Sequence, residues 1–424
     1  MRPEERGAAV PVNEIDVHEA VTRAHREEWA RVVAALTRRF GDLDIAEESA
    51  AEAFATAVER WPADGLPPNP GAWLTTTANR KAIDRIRREN KRDDKHKAAQ
   101  LVNDTAPPEP LGAIDDDRLR LIFTCCHPAL AMGARVALTL RMVGGLTVPE
   151  IAGAFLVQRT TMEQRITRAK AKIKAAGIPY RMPSAGDLPV RVSGVLAVLF
   201  LVFNEGYLAS GPDSDPVRHD LTAEALRLTR LLRALLPDDG EVAGLLALML
   251  LIEARRPARV STGGELVPLA EQDRGVWDAE LIAEGHRLVR ERLAAAAAGA
   301  APGRYQILAA INAVHTSARD SGDTDWSQVL ALYDQLVHLD PSPIVTLNRA
   351  VAVAELDGPQ AALAVVDGLA EALAGYHAYH ATRADLLRRL GRGREARLAY
   401  EQAIDLAGNT AETAYLTRRR DELG

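Results

Sequence analysis

Cysteine is almost absent: of 424 residues only Cys125 and Cys126 are cysteines, and they are neighbours. Adjacent cysteines rarely close on each other and have no zinc-ligand spacing, so the chain reads as having neither a disulfide framework nor a Cys-based metal site. There is no Gly-rich phosphate loop, nucleophile elbow or His/Cys metal spacing, which leaves no catalytic residue and no cofactor to assign. The longest apolar run, Val195–Phe203, is followed by Asn204-Glu205 and is too short to span a bilayer. The start MRPEERGAAV has no hydrophobic signal region. A cytoplasmic chain with no membrane partner is expected. Lysine is scarce and localised, since every lysine lies between Lys81 and Lys174.

That confinement exposes a charge asymmetry. The formal net charge is −6, yet residues 1–180 hold 27 Lys+Arg against 25 Asp+Glu, leaving 25 against 33 for the remainder. The cations cluster over 80–97 and 159–174. Localised charge of this kind speaks to partners, whereas net charge speaks mainly to solubility.

Nearly the whole chain has apolar residues at three- and four-residue spacing, and β-branched alternation is rare, so an all-α protein is predicted. Four parts are expected: a helical domain over 1–97, a Pro/Ala/Asp-rich flexible linker over 98–115, a small helical domain over 116–180 and a helical C-terminal region over 181–424. At most a short β-hairpin over Thr262-Gly263-Gly264 interrupts the helices. From about residue 325 the pattern repeats. Val329–Tyr333–Val337–Pro341 resembles Ala361–Val365–Leu369–Leu373 and Ala396–Tyr400–Ile404–Gly408. A period near 34 with two helices per unit is tetratricopeptide-like, and Leu390-Gly391 fits the turn between paired helices. Such repeats build concave protein-binding surfaces, so a protein or ligand partner is expected for this region.

The segment LTVPEIAGAFLVQRTTMEQRITRAKAKIK (146–174) predicts a short helix with Pro149 in its first turn, a break near Leu156–Gln158 and a longer helix from about Arg159. On the longer helix Met162, Ile166, Ala169 and Ile173 form one buried stripe. Thr160, Glu163, Gln164, Thr167 and Arg168 form the opposite stripe, with the short polar groups and forked donors that base edges in a major groove require. Arg165, Lys170, Lys172 and Lys174 are placed to reach phosphates. The pattern is a helix-turn-helix. The bland alternative is a solvated basic helix in a bundle.

An earlier block, PGAWLTTTANRKAIDRIRRENKR (70–92), sets Trp73 and a threonine cluster before Arg80, Lys81, Arg85, Arg87, Arg88, Lys91 and Arg92. An aromatic beside a basic helix suits stacking on unpaired bases with phosphate contact. Before it, on 42–61, Asp44, Glu48, Glu52 and Glu59 share a face with Glu47 beside it. Alone, that acidic face is ordinary solvated surface. Cys125-Cys126-His127 is expected to be buried packing rather than a redox or metal site, and His377 and His380 to pack beside Tyr376 and Tyr379. Asn204, Glu205, His219, Gln272, Asp273, Arg274 and Trp277 are polar or amphipathic residues set among apolar runs. They predict either a buried network or the lining of a ligand pocket.

The order of these pieces is informative. An acidic helix, then WL-x-x-x-A…D-x-x-R-R, a linker and a helix-turn-helix ending in R-I-x-R-A-K resemble a bacterial sigma-70-type initiation factor, over about residues 18–178. The spacing is similar to the extracytoplasmic-function (ECF) group, which keeps regions 2 and 4. FTCCHPAL (123–130), AGIPYRMP (176–183), FNEGYLASG (203–211) and EQDRGVWD (271–278) resemble the subgroup with a long tetratricopeptide-like extension. The resemblance implies a non-enzymatic factor that joins core RNA polymerase and reads promoter DNA. It puts Asp44, Glu47, Glu48, Glu52 and Phe54 against polymerase. It puts Trp73, Thr76, Asn79, Arg80, Lys81, Asp84, Arg87 and Arg88 at the −10 element, and Thr160, Glu163, Gln164, Arg165, Thr167, Arg168, Lys170 and Lys172 at the −35 element. Ala78-Asn79-Arg80 departs from the family's usual A-R-N order, and Leu156 stands where a turn glycine is common. Two other readings use the same segments: a helix-turn-helix regulator that acts without joining polymerase, and a tetratricopeptide scaffold.

Overall fold

The computed structural model describes residues 14–92, 117–155, 157–207, 218–261 and 265–423. The expected linker 98–115, Leu156 and the hairpin turn 262–264 lie outside the described residues. The all-α expectation holds. Among the described residues the only strand-like feature is an isolated antiparallel bridge between Val260 and Leu266.

The chain forms two compact units, residues 1–153 with 157–198, and 199–424 with 154–156. The first begins with α1 (Glu14–Phe40), α2 (Leu43–Asp64) and α3 (Pro70–Arg92). Asp42 starts α2 because its carboxylate accepts from the N–H groups of Asp44 and Ile45, at 2.9 and 3.2 Å. Ala46, Ala50, Ala53 and Ala57 make the fully buried stripe of α2, and these small side chains let its backbone approach α1 closely. Next come α4 (Asp117–Cys125), α5 (Met132–Leu138, continued by a π-helical turn Thr139–Gly144), α6 (Val148–Ala154) and α7 (Arg159–Ala175). Gly145 ends the π turn at φ 77°, and a Cβ there would sit 2.7 Å from the His25 ring and 3.0 Å from that of Trp29. Only glycine meets both demands.

The described residues of the expected parts 1–97 and 116–180 lie together in the first unit. The Trp29 indole donates to the carbonyls of Arg141 and Met142, both at 3.2 Å. The Tyr180 hydroxyl lies 3.1 Å from the carbonyl of Ala34 and 2.8 Å from that of Asp117.

α8 (Leu188–Tyr207) is long and apolar enough to cross a membrane by length and composition, although its uninterrupted apolar run, Val195–Phe203, is by itself too short to do so. Val192, Val195, Leu196, Val198, Leu199, Val202 and Phe203 along it are buried. The second unit continues through α9 (His219–Leu235), α10 (Gly240–Glu253), α11 (Ala279–Ala297) and α12 (Arg304–Ser317). Then come α13 (Trp326–Leu339), α14 (Pro343–Leu356), α15 (Pro359–Asp367), α16 (His377–Arg389), α17 (Gly393–Asp405) and α18 (Thr410–Asp421). α14 and α16 start 34 residues apart, at 343 and 377, and so do α15 and α17, at 359 and 393. This is the repeat read from the sequence. Ala350, Ala362, Ala384, Ala396 and Ala403 are fully buried where the repeated helices meet. Gly391, at φ 72°, makes the turn between α16 and α17.

Candidate nucleic-acid interface

The helix-turn-helix is built by local chemistry. Thr147 and Glu150 form a capping box for α6: the Glu150 carboxylate accepts from Thr147 N at 2.6 Å and Thr147 Oγ1 at 2.7 Å, and Glu150 N donates back to Thr147 Oγ1 at 3.4 Å. α7 follows after Gln158. Its buried residues include Met162, Ile166, Ala169 and Ile173, the stripe expected from spacing. Thr160, Gln164, Thr167, Arg168 and Lys172 are exposed, while Glu163 is held at 2.8 Å by Arg159 and Arg165 lies across Gly133 of α5. The Arg168 guanidinium lies 3.4 Å from Gln164 Oε1. This outer face carries donors and acceptors on a rigid helix, the arrangement a major groove accommodates.

On α3, Thr76, Arg80, Asp84 and Arg87 are exposed at spacings of four, four and three, one solvent-facing stripe, with Arg88 exposed beside them. Trp73 is half-buried and meets Trp61 edge-on, with ring centroids 5.6 Å apart. Asn79 is turned the other way, its Oδ1 3.4 Å from Arg39 Nη1. Lys81 pairs with Glu52 at 3.8 Å, and Arg85 pairs with Glu48. Glu48 and Glu52 of α2 are therefore shared with the basic helix beside them.

The inner carboxylates meet α7. Lys170, expected at a phosphate, is instead 9% exposed and bonded to Glu47, with Asp44 Oδ1 at 2.8 Å. Glu47 also receives the Arg141 guanidinium, and Lys174 Nζ lies 3.1 Å from Asp42 Oδ2. Burial opposes the charge on Lys170, but Glu47 and Asp44 outweigh it and raise its pKa. Burial likewise opposes the Asp42 charge, but Lys174 and the Ile45 and Asp44 N–H groups hold its pKa below the ordinary value. Phe54, expected at a polymerase surface, is 6% exposed, meeting the His25 ring edge-on at 4.9 Å and the tilted Trp29 ring at 5.7 Å. Arg141 was not foreseen. The signal was there: a single cation inside the apolar run ALTLRMV must find a partner on folding.

The remaining candidates are elsewhere. Cys125 and Cys126 are buried, and burial raises both thiols, Cys126 to about 11. His377 Nε2 lies 3.2 Å from Glu412, and His380 Nε2 lies 2.8 Å from the carbonyl of Ala374. The His219 ring lies 3.1 Å from Glu253, Asp273 caps a short turn through Gly275 N, and the Arg274 guanidinium stacks on Trp277 and donates to Ala318 O at 2.9 Å.

Two sequence families recognised for their part in transcription coincide with this geometry. Sigma-70 region 2 matches residues 26–92, and sigma-70 region 4 matches 120–173. The chain belongs to the extracytoplasmic-function sigma-70 family. A family of unknown function (DUF6596) matches residues 191–293 in its C-terminal extension. An uncharacterised protein of Rhizobium meliloti is 45% identical over 401 residues, covering 93% of both chains, so the match runs through most of the extension. The probable ECF RNA polymerase sigma factor SigI of Mycobacterium tuberculosis is 27% identical over 168 residues, 38% of this chain and 57% of that relative. ECF RNA polymerase sigma factor SigK of Mycobacterium ulcerans is 28% identical over 148 residues, 33% of this chain and 75% of that relative. In family terms α2 and α3 are the core of region 2, and α6 and α7 are the helix-turn-helix of region 4.

Proposed function

We propose that this sigma factor recruits core RNA polymerase to its promoters by reading a −10 element with α3 and a −35 element with α7, and that its C-terminal extension regulates that step. The observation that carries the reading is the pair of outward stripes, Thr76–Arg80–Asp84–Arg87 on α3 and Thr160–Gln164–Thr167–Arg168 on α7. Each is exposed on a helix whose opposite face is buried. Phosphate contacts from Lys172, Arg87 and Arg88 would position the chain, and Arg168 and Gln164 would discriminate bases.

The carboxylates assigned to polymerase, Asp44, Glu47, Glu48 and Glu52, all meet cations of the same unit. Lys170 is shielded from any phosphate by two of them. Of these carboxylates, α7 covers Glu47 and borders Asp44, while Glu48 and Glu52 face α3; in this reading the arrangement is a resting one, and α7 leaves Glu47 before polymerase engages it. Run-off transcription with purified core polymerase tests the main reading: a transcript from a cognate promoter only when this chain is present supports it. Duplex promoter binding without any core-dependent transcript would favour a regulator acting alone. Truncation after residue 183 tests the extension, since unchanged core affinity and promoter activity would remove its regulatory role.

A further inference from the structure

A cavity of about 320 Å³ lies within the second unit, between the segment after α10, the stretch Leu266–Gln272, and helices α16 and α18. Its floor is cationic. Arg259 is 7% exposed, donates from Nη1 to the Tyr207 carbonyl and stacks on the Tyr207 ring. Its remaining donors have no protein acceptor among the described residues. Arg255 gives one N–H to Asn312 Oδ1 at 3.2 Å, and its Nε is buried without a partner.

Nearby carboxylates are already committed. Glu253 takes Arg256 at 2.8 Å and His219 at 3.1 Å. Glu412 takes His377 at 3.2 Å and the Asn409 amide at 3.1 Å. Among the described residues neither Arg255 nor Arg259 has a carboxylate within ion-pair distance. A buried cation left in this state is costly and is relieved by an anion. Burial disfavours the charged form of Arg259, the neighbouring Arg255 adds to this, and Tyr207, Glu412 and Glu253 offset it only in part. The lining also holds apolar Leu269, Ala381 and Leu416, together with Glu412 and its partner His377. At the cavity's edge the Gln272 amide donates to Val267 O at 3.0 Å, while its Oε1 is buried and unpartnered.

We propose that this cavity binds a small amphipathic carboxylic acid, with the carboxylate on the Arg259–Arg255 floor and the hydrocarbon body against Leu269, Ala381 and Leu416. A planar guanidinium fork matches a carboxylate. These apolar residues favour a monoanion with a hydrophobic body over a fully hydrated inorganic ion. The site touches both the segment matched by the family of unknown function and the last repeat helices.

The test is calorimetric titration and thermal melting of the full chain, without polymerase or DNA, so its outcome is separate from the transcription reading. Octanoate and phenylacetate are the probes, with octanamide, phenylacetamide and inorganic phosphate beside them. Saturable binding of a carboxylate with a raised Tm is expected, and at least tenfold weaker binding of its amide and of phosphate. Arg259→Gln should weaken carboxylate binding at least tenfold. Ala381→Phe, which fills the cavity and leaves the arginines in place, should do the same in a chain with a normal helical spectrum. No saturable binding, equal binding of amide or phosphate, or full affinity in a folded Ala381→Phe chain would each overturn the proposal.

Discussion

Replacing Lys170 by Met tests whether the first unit holds itself closed. The Lys170 ammonium and the Glu47 carboxylate are both 9% exposed, and their contact links α7 to α2. Breaking a buried pair typically costs about 3–5 kcal/mol, because one charge is left uncompensated. Here Glu47 keeps Arg141, so the loss falls to about 1–3 kcal/mol, the range for a weakened buried charged hydrogen bond. Asp44, with its side chain 63% exposed, loses little. Lys170 is not among the polymerase-facing residues. Lys170→Met should therefore raise affinity for core polymerase, measured by fluorescence anisotropy without DNA, by up to the same free energy. That is about fivefold to a hundredfold at roughly 1.4 kcal/mol per decade. Distances between spin labels on α2 and α7 should lengthen in parallel. Unchanged core affinity together with unchanged label distances would refute the idea that α2 is covered by α7. Lys174→Met removes only a surface pair to Asp42, from a lysine side chain that is 81% exposed, and should shift core affinity by less than about threefold.

Four further outcomes are expected. Arg168→Ala should cost about 1–3 kcal/mol of −35 discrimination, whereas Lys172→Ala should weaken all sequences alike and lower the salt slope by about one; competition binding across salt concentrations separates the two. Gly145→Ala should destabilise the chain by at least about 2 kcal/mol in urea melts, because its positive φ and the nearby His25 and Trp29 rings both oppose a Cβ. His315 is depressed to about 4, chiefly by burial and then by Arg255 and Arg274. Its neutral form is favoured on folding, so its contribution is present above about pH 6.5 and is lost as pH falls toward 4. About 2 kcal/mol should disappear between pH 7.5 and 5, and His315→Gln should flatten that slope. His377, raised by its bond to Glu412, has the opposite sign, and its stabilisation fades as pH rises through its elevated pKa.

The helices and their burial were legible in the sequence because each rests on local chemistry. The T-x-x-E capping box, the Met162–Ile166–Ala169–Ile173 stripe and the repeat spacing survive folding, since they are properties of single helices or adjacent pairs. The contact between regions 2 and 4 was not legible. It joins Lys170 to Glu47 across more than a hundred residues of sequence, and both ends had a plausible solvent-exposed role of their own. Phe54 was misjudged for a related reason: its place at the edge of an acidic face hid the aromatic pair, His25 and Trp29, that buries it. Gln272 and Arg274 showed only that polar groups in apolar surroundings need partners. Which partners depended on how the later helices return to them.

The covalent chain between α3 and α4 has a consequence for the closed unit. Arg92 and Asp117 are separated by 24 residues. Fully extended, these could span at most roughly 80 Å. Because α2 and α7 belong to one chain, their contact is intramolecular whatever the amount of protein present. Closure is then a unimolecular event. Dilution would not release it, higher expression would not deepen it, and an activator has to outcompete a neighbour that never diffuses away.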